Sequence, residues 1–163
     1  MRLLFLAWPH LPLHLEEARR GQLPSSPVIL GGQPWEPGTV LDCNGSASRL
    51  GVRRDQPLGA AHKLVPEALF LPADRGTYRS AFEGALDALA AFTPSLEGMS
   101  DPDADGFGRA YLGIEGLERL WGGEQRLLER IVGVLGPLLP GRPRAGFGNT
   151  RFGARVAAVV GAG

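Results

Sequence analysis

Apolar positions in this chain follow two different periods. The opening run RLLFLA is short and continuously apolar, the pattern of a buried strand. Pro9 and Pro12 close it, because proline cannot donate to a sheet ladder. PVIL near Val28 and TVLD near Val40 read as two further short strands, with the Gly- and Pro-rich GGQPWEPG turning between them. From Asn44 to Leu71 the pattern breaks into short helical pieces, SASRLG and then LGAAHKLVPEALFLP with Pro66 as a breaker, which predicts a small helical insertion. The clearest helix is TYRSAFEGALDALAAF, with Thr77 as its expected N-cap and its end before Pro94. In it Tyr78, Phe82, Leu86, Leu89 and Phe92 recur at steps of three and four, so one face is built to pack on something flat.

The remainder alternates in the same way. RAYLGI, residues 109–114, predicts a strand, and EQRLLERIVGVL a second amphipathic helix that buries Leu128, Ile131 and Leu135. RPRAGF predicts a strand, and NTRFGARVAAVV a third helix capped by Asn149 or Thr150. Strands alternating with amphipathic helices predict a sheet with helices stacked on it. No internal repeat is visible. The chain stops directly after a helix with GAG, as expected of a domain taken from a longer protein.

Composition narrows the class. With 163 residues and 44% hydrophobic content the chain can bury one ordinary core, or a core with a smaller subdomain inserted into it. No apolar run approaches the roughly 20 residues that span a bilayer, and MRLLFLAW meets Pro9 and His10 too soon to act as a secretory signal. A cytoplasmic location is therefore expected, with no membrane partner. The single Cys43 can form neither an internal disulfide nor a thiolate metal site, and reads as a small buried residue. Net charge is zero, so bulk electrostatics do not announce a nucleic-acid binder. All basic residues but Lys63 are Arg, a bias that genomic base composition explains as well as phosphate recognition does.

Candidate chemistry is sparse. DPDADG, residues 101–106, has the acids and glycine that open a calcium loop, but the twelfth place holds Leu112 where a bidentate Glu is needed. It reads as a solvated acidic turn. GFGNTRFG lacks the spacing and the Lys-Ser/Thr of a nucleotide cradle and reads as a tight strand-to-helix turn, although Arg151 and Arg155 are one helical turn apart. His10 and His14 would share a helix face, but Pro12 argues against a helix there and no third zinc ligand is evident. Ser46 and Ser48 beside Arg49 have no His partner, so no nucleophile–base arrangement stands out.

Taken in order, several segments resemble the N-terminal part of the Y-family (UmuC-like) translesion DNA polymerases. They are FLAWPHLPLHLEE, SASRLGVRRDQPLGAAHKLVPEALFLPAD, YRSAFEGALDALAAFTPSLE, AYLGIEG and AGFGNTRFGARVAA, and together they cover nearly the whole chain. The resemblance implies an α+β fold. A polymerase-type palm, a ferredoxin-like sheet with the helices near 77–92 and 123–136 on one face, occupies residues 1–43 and 73–163. A small fingers lobe is inserted at 44–72, and the thumb and little finger are absent.

In that family one Asp in the first strand and an Asp-Glu pair before the AYL strand hold two magnesium ions for phosphoryl transfer. The matching positions here are Ala7, Gly108 and Arg109, so all three carboxylates are missing. The Tyr and Arg that hold the incoming triphosphate align with Gly45 and Ser48, while the basic residue on the last helix is kept as Arg155.

This pattern is similar to the inactive Y-family subunits of bacterial mutagenesis complexes, the ImuB-like proteins. It implies a scaffold without cofactor or metal. The implied partners are an error-prone polymerase, a RecA-like accessory protein and a sliding clamp, with weak DNA contact through Arg49, Arg53, Arg54, Arg151 and Arg155. Two alternatives stay open. One is a divergent nucleotidyltransferase that recruits magnesium with Asp42 and residues 101–105; the other is a nucleotide-binding domain that uses the 146–153 turn.

Overall fold

The computed structural model describes residues 1–161. In chain order the elements are β1 (Leu3–Ala7), α1 (Leu11–Arg20), β2 (Val28–Leu30), β3 (Asp42–Cys43), α2 (Gly45–Arg49), α3 (Leu58–Leu64) and β4 (Leu69–Leu71). They continue with α4 (Arg75–Ala90), β5 (Leu96–Gly98), β6 (Arg109–Gly113), α5 (Leu117–Leu120), α6 (Glu124–Leu135), β7 (Arg144–Gly148) and α7 (Arg151–Val160). The chain divides into two compact units: His10–Tyr78 is one, and Met1–Pro9 with the chain from Arg79 onward is the other.

The second of these is an α+β layer. Its sheet has the order β5-β6-β1-β7, with β1 antiparallel to both neighbours. Because successive side chains alternate between faces, Leu4 and Leu6 share one face with Ala110 and Leu112, all fully buried. Removing each such leucine from water is worth about 1.5–3 kcal/mol. On this face lies α4, whose Leu86 abuts Gly98, while Phe82 meets the rings of Trp8 and Phe107 edge-on. Leu3, Phe5 and Ala7 point the other way and form a core with Ala154 and Ala158 of α7. That packing needs glycine on β7. A Cβ at Gly146 would stand 2.1 Å from the Ala154 carbonyl oxygen, and one at Gly148 2.5 Å from the Ala154 nitrogen.

In His10–Tyr78 a sheet of order β3-β2-β4 pairs β2 antiparallel with β3 and parallel with β4. Ile29 and Phe70 from the sheet pack with Ala47, Leu58 and Ala61 of α2 and α3. The Asn44 side chain caps α2 by accepting from Ala47 N, and the same oxygen accepts from Val28 N, tying helix to strand. This unit contains the 44–72 stretch together with α1 and β2.

Two local readings change, and one strand had none. Pro12 does not prevent a helix between His10 and His14: it lies in the first turn of α1, where its missing N–H has no intrahelical partner to lose. The α4 cap is Asp74 rather than Thr77, since the Asp74 carboxylate accepts from both Thr77 N and Thr77 Oγ1. Strand β5 has no sequence signal, because LEG lacks β-branched and aromatic residues, and its pairing with β6 makes it a strand.

Candidate nucleic-acid interface

β1 is an interior strand, and Ala7 closes it. The register sets Ala7 opposite Arg109 on β6 and opposite Arg144 on β7, and the Trp8 amide donates to the Gly108 carbonyl at 2.9 Å. Ala7, Gly108 and Arg109 thus meet at one end of the sheet, as a methyl group, a bare backbone and a guanidinium. Gly108 has φ 85, a left-handed conformation that favours glycine, so a side chain there would add strain.

The acids of the 101–105 turn have partners of their own. The Asp101 carboxylate accepts from Asp103 N at 3.0 Å and lies 3.7 Å from the Arg79 guanidinium. Among the described residues no group of three His, Cys, Asp or Glu side chains is placed to hold a metal ion. In the other unit, Asp42 is nearly buried. It meets His10 Nδ1 at 2.7 Å and accepts from the Leu13 and Cys43 amides. Burial, and then the Asp42 charge, push the Cys43 thiol up to about 11, so it stays protonated and serves packing.

The arginines singled out in the sequence fall into both units. In His10–Tyr78, Arg53 is spent on its own backbone, donating to the Ser48 and Val52 carbonyls at 2.7 and 2.8 Å. That contact also occupies Ser48, whose hydroxyl is 3.4 Å from the same nitrogen. Arg54 lies 3.9 Å from Asp55. Arg49 is exposed and, with Leu13, Glu17, Val28, Asn44 and Gly45, lines an open groove of about 680 Å³. On the sheet unit, Arg151 stacks over Tyr111 with its guanidinium 5.0 Å from the ring centre and bonds Glu97, whose carboxylate holds its pKa above the ordinary value. Arg155 is exposed one turn further along α7. Around the 146–153 turn, the α7 backbone packs directly on Gly146 and Gly148, and the Thr150 hydroxyl accepts from Gly153 N.

Residues 10–159 match the impB/mucB/samB family. The chain belongs to that family. It is 31% identical to DNA polymerase IV of Dehalococcoides mccartyi over 143 residues, 88% of this chain and 35% of that protein. Against DNA polymerase IV of Staphylococcus aureus strain Newman it is 28% identical over 118 residues, 72% of this chain and 32% of the relative. The chain therefore spans about a third of the length of these relatives. Among solved structures, DinB from Sulfolobus solfataricus superposes with TM-score 0.77 at 19% identity, covering 98% of this chain and 46% of that one. The insertion ternary complex of Dbh DNA polymerase gives 0.72 at 19% identity, with coverage of 98% and 46%. The fold is that of Y-family polymerases, and their palm-like architecture matches the four-stranded sheet with α4 on one face.

Two residues escaped the sequence reading. Arg144 was seen only as part of a strand, yet it flanks Ala7 on the side away from Arg109. The alternation Arg142, Arg144, Gly146, Gly148 carries its signal, since the small residues mark where α7 lies and the large ones where it does not. Glu16 is fully buried, with its carboxylate accepting from Arg19, Arg20 and the Tyr78 hydroxyl. In HLEEARR it looks like one more solvated helix acid, and only its partner 62 residues away marks it out.

Proposed function

We propose that this chain is the palm and fingers part of a Y-family relative that has given up nucleotidyl transfer and acts as a scaffold in DNA-damage tolerance and damage-induced mutagenesis. The observation that carries it is Arg109 directly opposite Ala7, with Gly108 beside them. Magnesium does not fit this donor set. A guanidinium about 4 Å from a cation is repelled by about 4 kcal/mol per unit of metal charge at an effective dielectric near 20. Asp42 and Asp101, two of the acids that an active alternative would recruit, already hold backbone amides and the basic side chains His10 and Arg79.

A scaffold also needs surface for partners. On α7, Phe152, Val156, Val159 and Val160 form an exposed apolar stripe, with Phe152 77% exposed. This supports docking by a protein, and the partners that fit the resemblance are an error-prone polymerase, a RecA-like accessory protein and a sliding clamp, in the bacterial cytoplasm at the nucleoid. No helix among the described residues is long and apolar enough to cross a membrane.

The second reading is an active polymerase, favoured by relatives named DNA polymerase IV. Titration calorimetry with a nucleoside triphosphate separates the two. The scaffold reading expects a trace that magnesium leaves unchanged, and no primer extension. Magnesium-dependent binding or extension would overturn it.

A further inference from the structure

The structure assigns to the turn between α5 and α6 a docking surface for a short acidic segment of a partner protein. Leu120 and Trp121 supply its apolar anchor, and Arg126 and Arg130 its cationic rim. Leu120 is 77% exposed and Trp121 38%, although Leu127 and Leu128 are buried only a few residues further on. The backbone sets this outward position. Helix α5 lasts 4 residues, and Gly122 and Gly123 follow Trp121 with φ of 83 and 117, angles that favour glycine, so the chain turns there before α6 begins at Glu124. Gly122 also makes room for the rim. A Cβ there would stand 3.1 Å from Arg126 Cδ, so the Arg126 stem lies against the bare turn. One helical turn on, the Arg130 guanidinium is 5.5 Å from the Trp121 ring centre, and Phe92 packs beside that ring at 5.8 Å.

No described carboxylate balances the rim. Arg126 and Arg130 make no ion pair with any described residue, Glu129 between them included. The acids that flank the turn serve another arginine: Glu124, by a hydrogen bond at 2.8 Å, and then Glu118, by its charge, hold the Arg2 pKa above its ordinary value. Like charges four residues apart on a helix repel, and an incoming carboxylate relieves that repulsion. Charge complementarity therefore selects an acidic partner, whose carboxylates suit forked guanidinium donors. Phosphate would suit the same donors, so the apolar pair decides between them. Arg130 already lies over the Trp121 ring, which leaves the ring edge and Leu120 to receive an apolar side chain rather than a stacked base. Trp and Arg are also the residues that most often dominate protein interfaces. Size argues against a second copy of this chain, because so small a patch falls far short of the about 800 Å² that each side of a stable globular pair buries. A short segment needs no more. The surface follows the end of β6 away from Arg109, so it holds whether or not the chain transfers nucleotides.

Fluorescence anisotropy of two labelled peptides, Glu-Asp-Phe-Leu-Asp-Glu and Lys-Lys-Phe-Leu-Lys-Lys, tests the surface in EDTA. The chain should bind the acidic peptide about tenfold more tightly than the basic one, with affinity falling as salt rises. Arg126→Glu combined with Arg130→Glu should abolish that preference. Leu120→Ser should weaken the acidic peptide about tenfold. Trp121→Ala should do at least as much, and the exposed Leu120 keeps the surface testable if losing the contact between Trp121 and Phe92 unfolds that variant. Thermal melts check that each variant is folded. Trp35→Ala is the control, an 80% exposed tryptophan in the other unit, and should change nothing. Equal binding of the two peptides, binding of neither, or undiminished binding by folded Leu120→Ser or the double arginine variant overturns the surface. Displacement of the acidic peptide by a single-stranded oligonucleotide at lower concentration than by unlabelled peptide overturns it in favour of nucleic acid. Sedimentation that shows a dimer lost in Leu120→Ser overturns it in favour of a second copy. Magnesium-dependent triphosphate binding bears only on the scaffold reading, so either can fail while the other stands.

Discussion

Arginine is placed in opposite ways in the two units. In His10–Tyr78, Arg19 and Arg20 converge on Glu16, which is fully buried and also accepts from Tyr78, itself only 1% exposed. On the sheet unit, Arg109 and Arg144 flank an alanine with no described acid to meet them. The first arrangement meets a buried carboxylate with donors from Arg19, Arg20 and Tyr78 and so belongs to stability. The second leaves cationic donors facing solvent, where they do little for the fold and are available to a ligand. The same residue type is thus structural or interactive according to whether a carboxylate was buried beside it.

The largest test of this contrast is Glu16→Ala. It leaves the buried Tyr78 hydroxyl unpaired and removes the carboxylate shared by two part-exposed guanidinia, of which Arg19 keeps Asp74, and unfolding in urea should show a loss of about 3 kcal/mol. Next comes Gly146→Ala, whose new methyl would press on the α7 backbone rather than on a movable side chain. Overpacking of this kind costs about 1–3 kcal/mol, read from the same urea midpoints.

The pH dependence sharpens the first arm. Burial raises the Glu16 pKa, but hydrogen bonds from Tyr78, Arg20 and Arg19 outweigh it and leave the carboxyl below its ordinary 4.5. A carboxyl depressed on folding contributes stability that is complete above the unfolded value and is lost as pH falls through the folded one. Melting temperature should therefore fall below about pH 4.5 through Glu16, and Glu16→Ala should flatten that limb. The smallest effect closes the comparison. Arg109→Ala should change stability by no more than about 0.5 kcal/mol, because an exposed side chain without a described partner has little to lose. A loss near that of Glu16→Ala would break the distinction.

Elements with an apolar stripe of their own were legible. EQRLLERIVGVL is α6 from Glu124 to Leu135, and Thr150, one of the two expected caps, does accept from Gly153 N at the start of α7. The α+β class followed from the same periodicity and from the ordered resemblance, and the superposition with Y-family structures bears it out. Less legible were elements created by their neighbours. β5 is a strand because β6 is beside it, and α1 begins at Leu11 because a proline in a first turn gives up no hydrogen bond.

The chain by itself determined which residue types stand where the resemblance places carboxylates: no ordering of neighbours turns Ala7, Gly108 and Arg109 into metal ligands. It also determined where amphipathic helices and apolar strands must form, since those follow from local spacing. Only the tertiary structure decided that Arg144, far along the chain, stands across from Ala7, and that Glu16 is enclosed by Tyr78. Strand register and burial are set by contacts between distant segments, and no local pattern encodes which distant partner a charged side chain will meet.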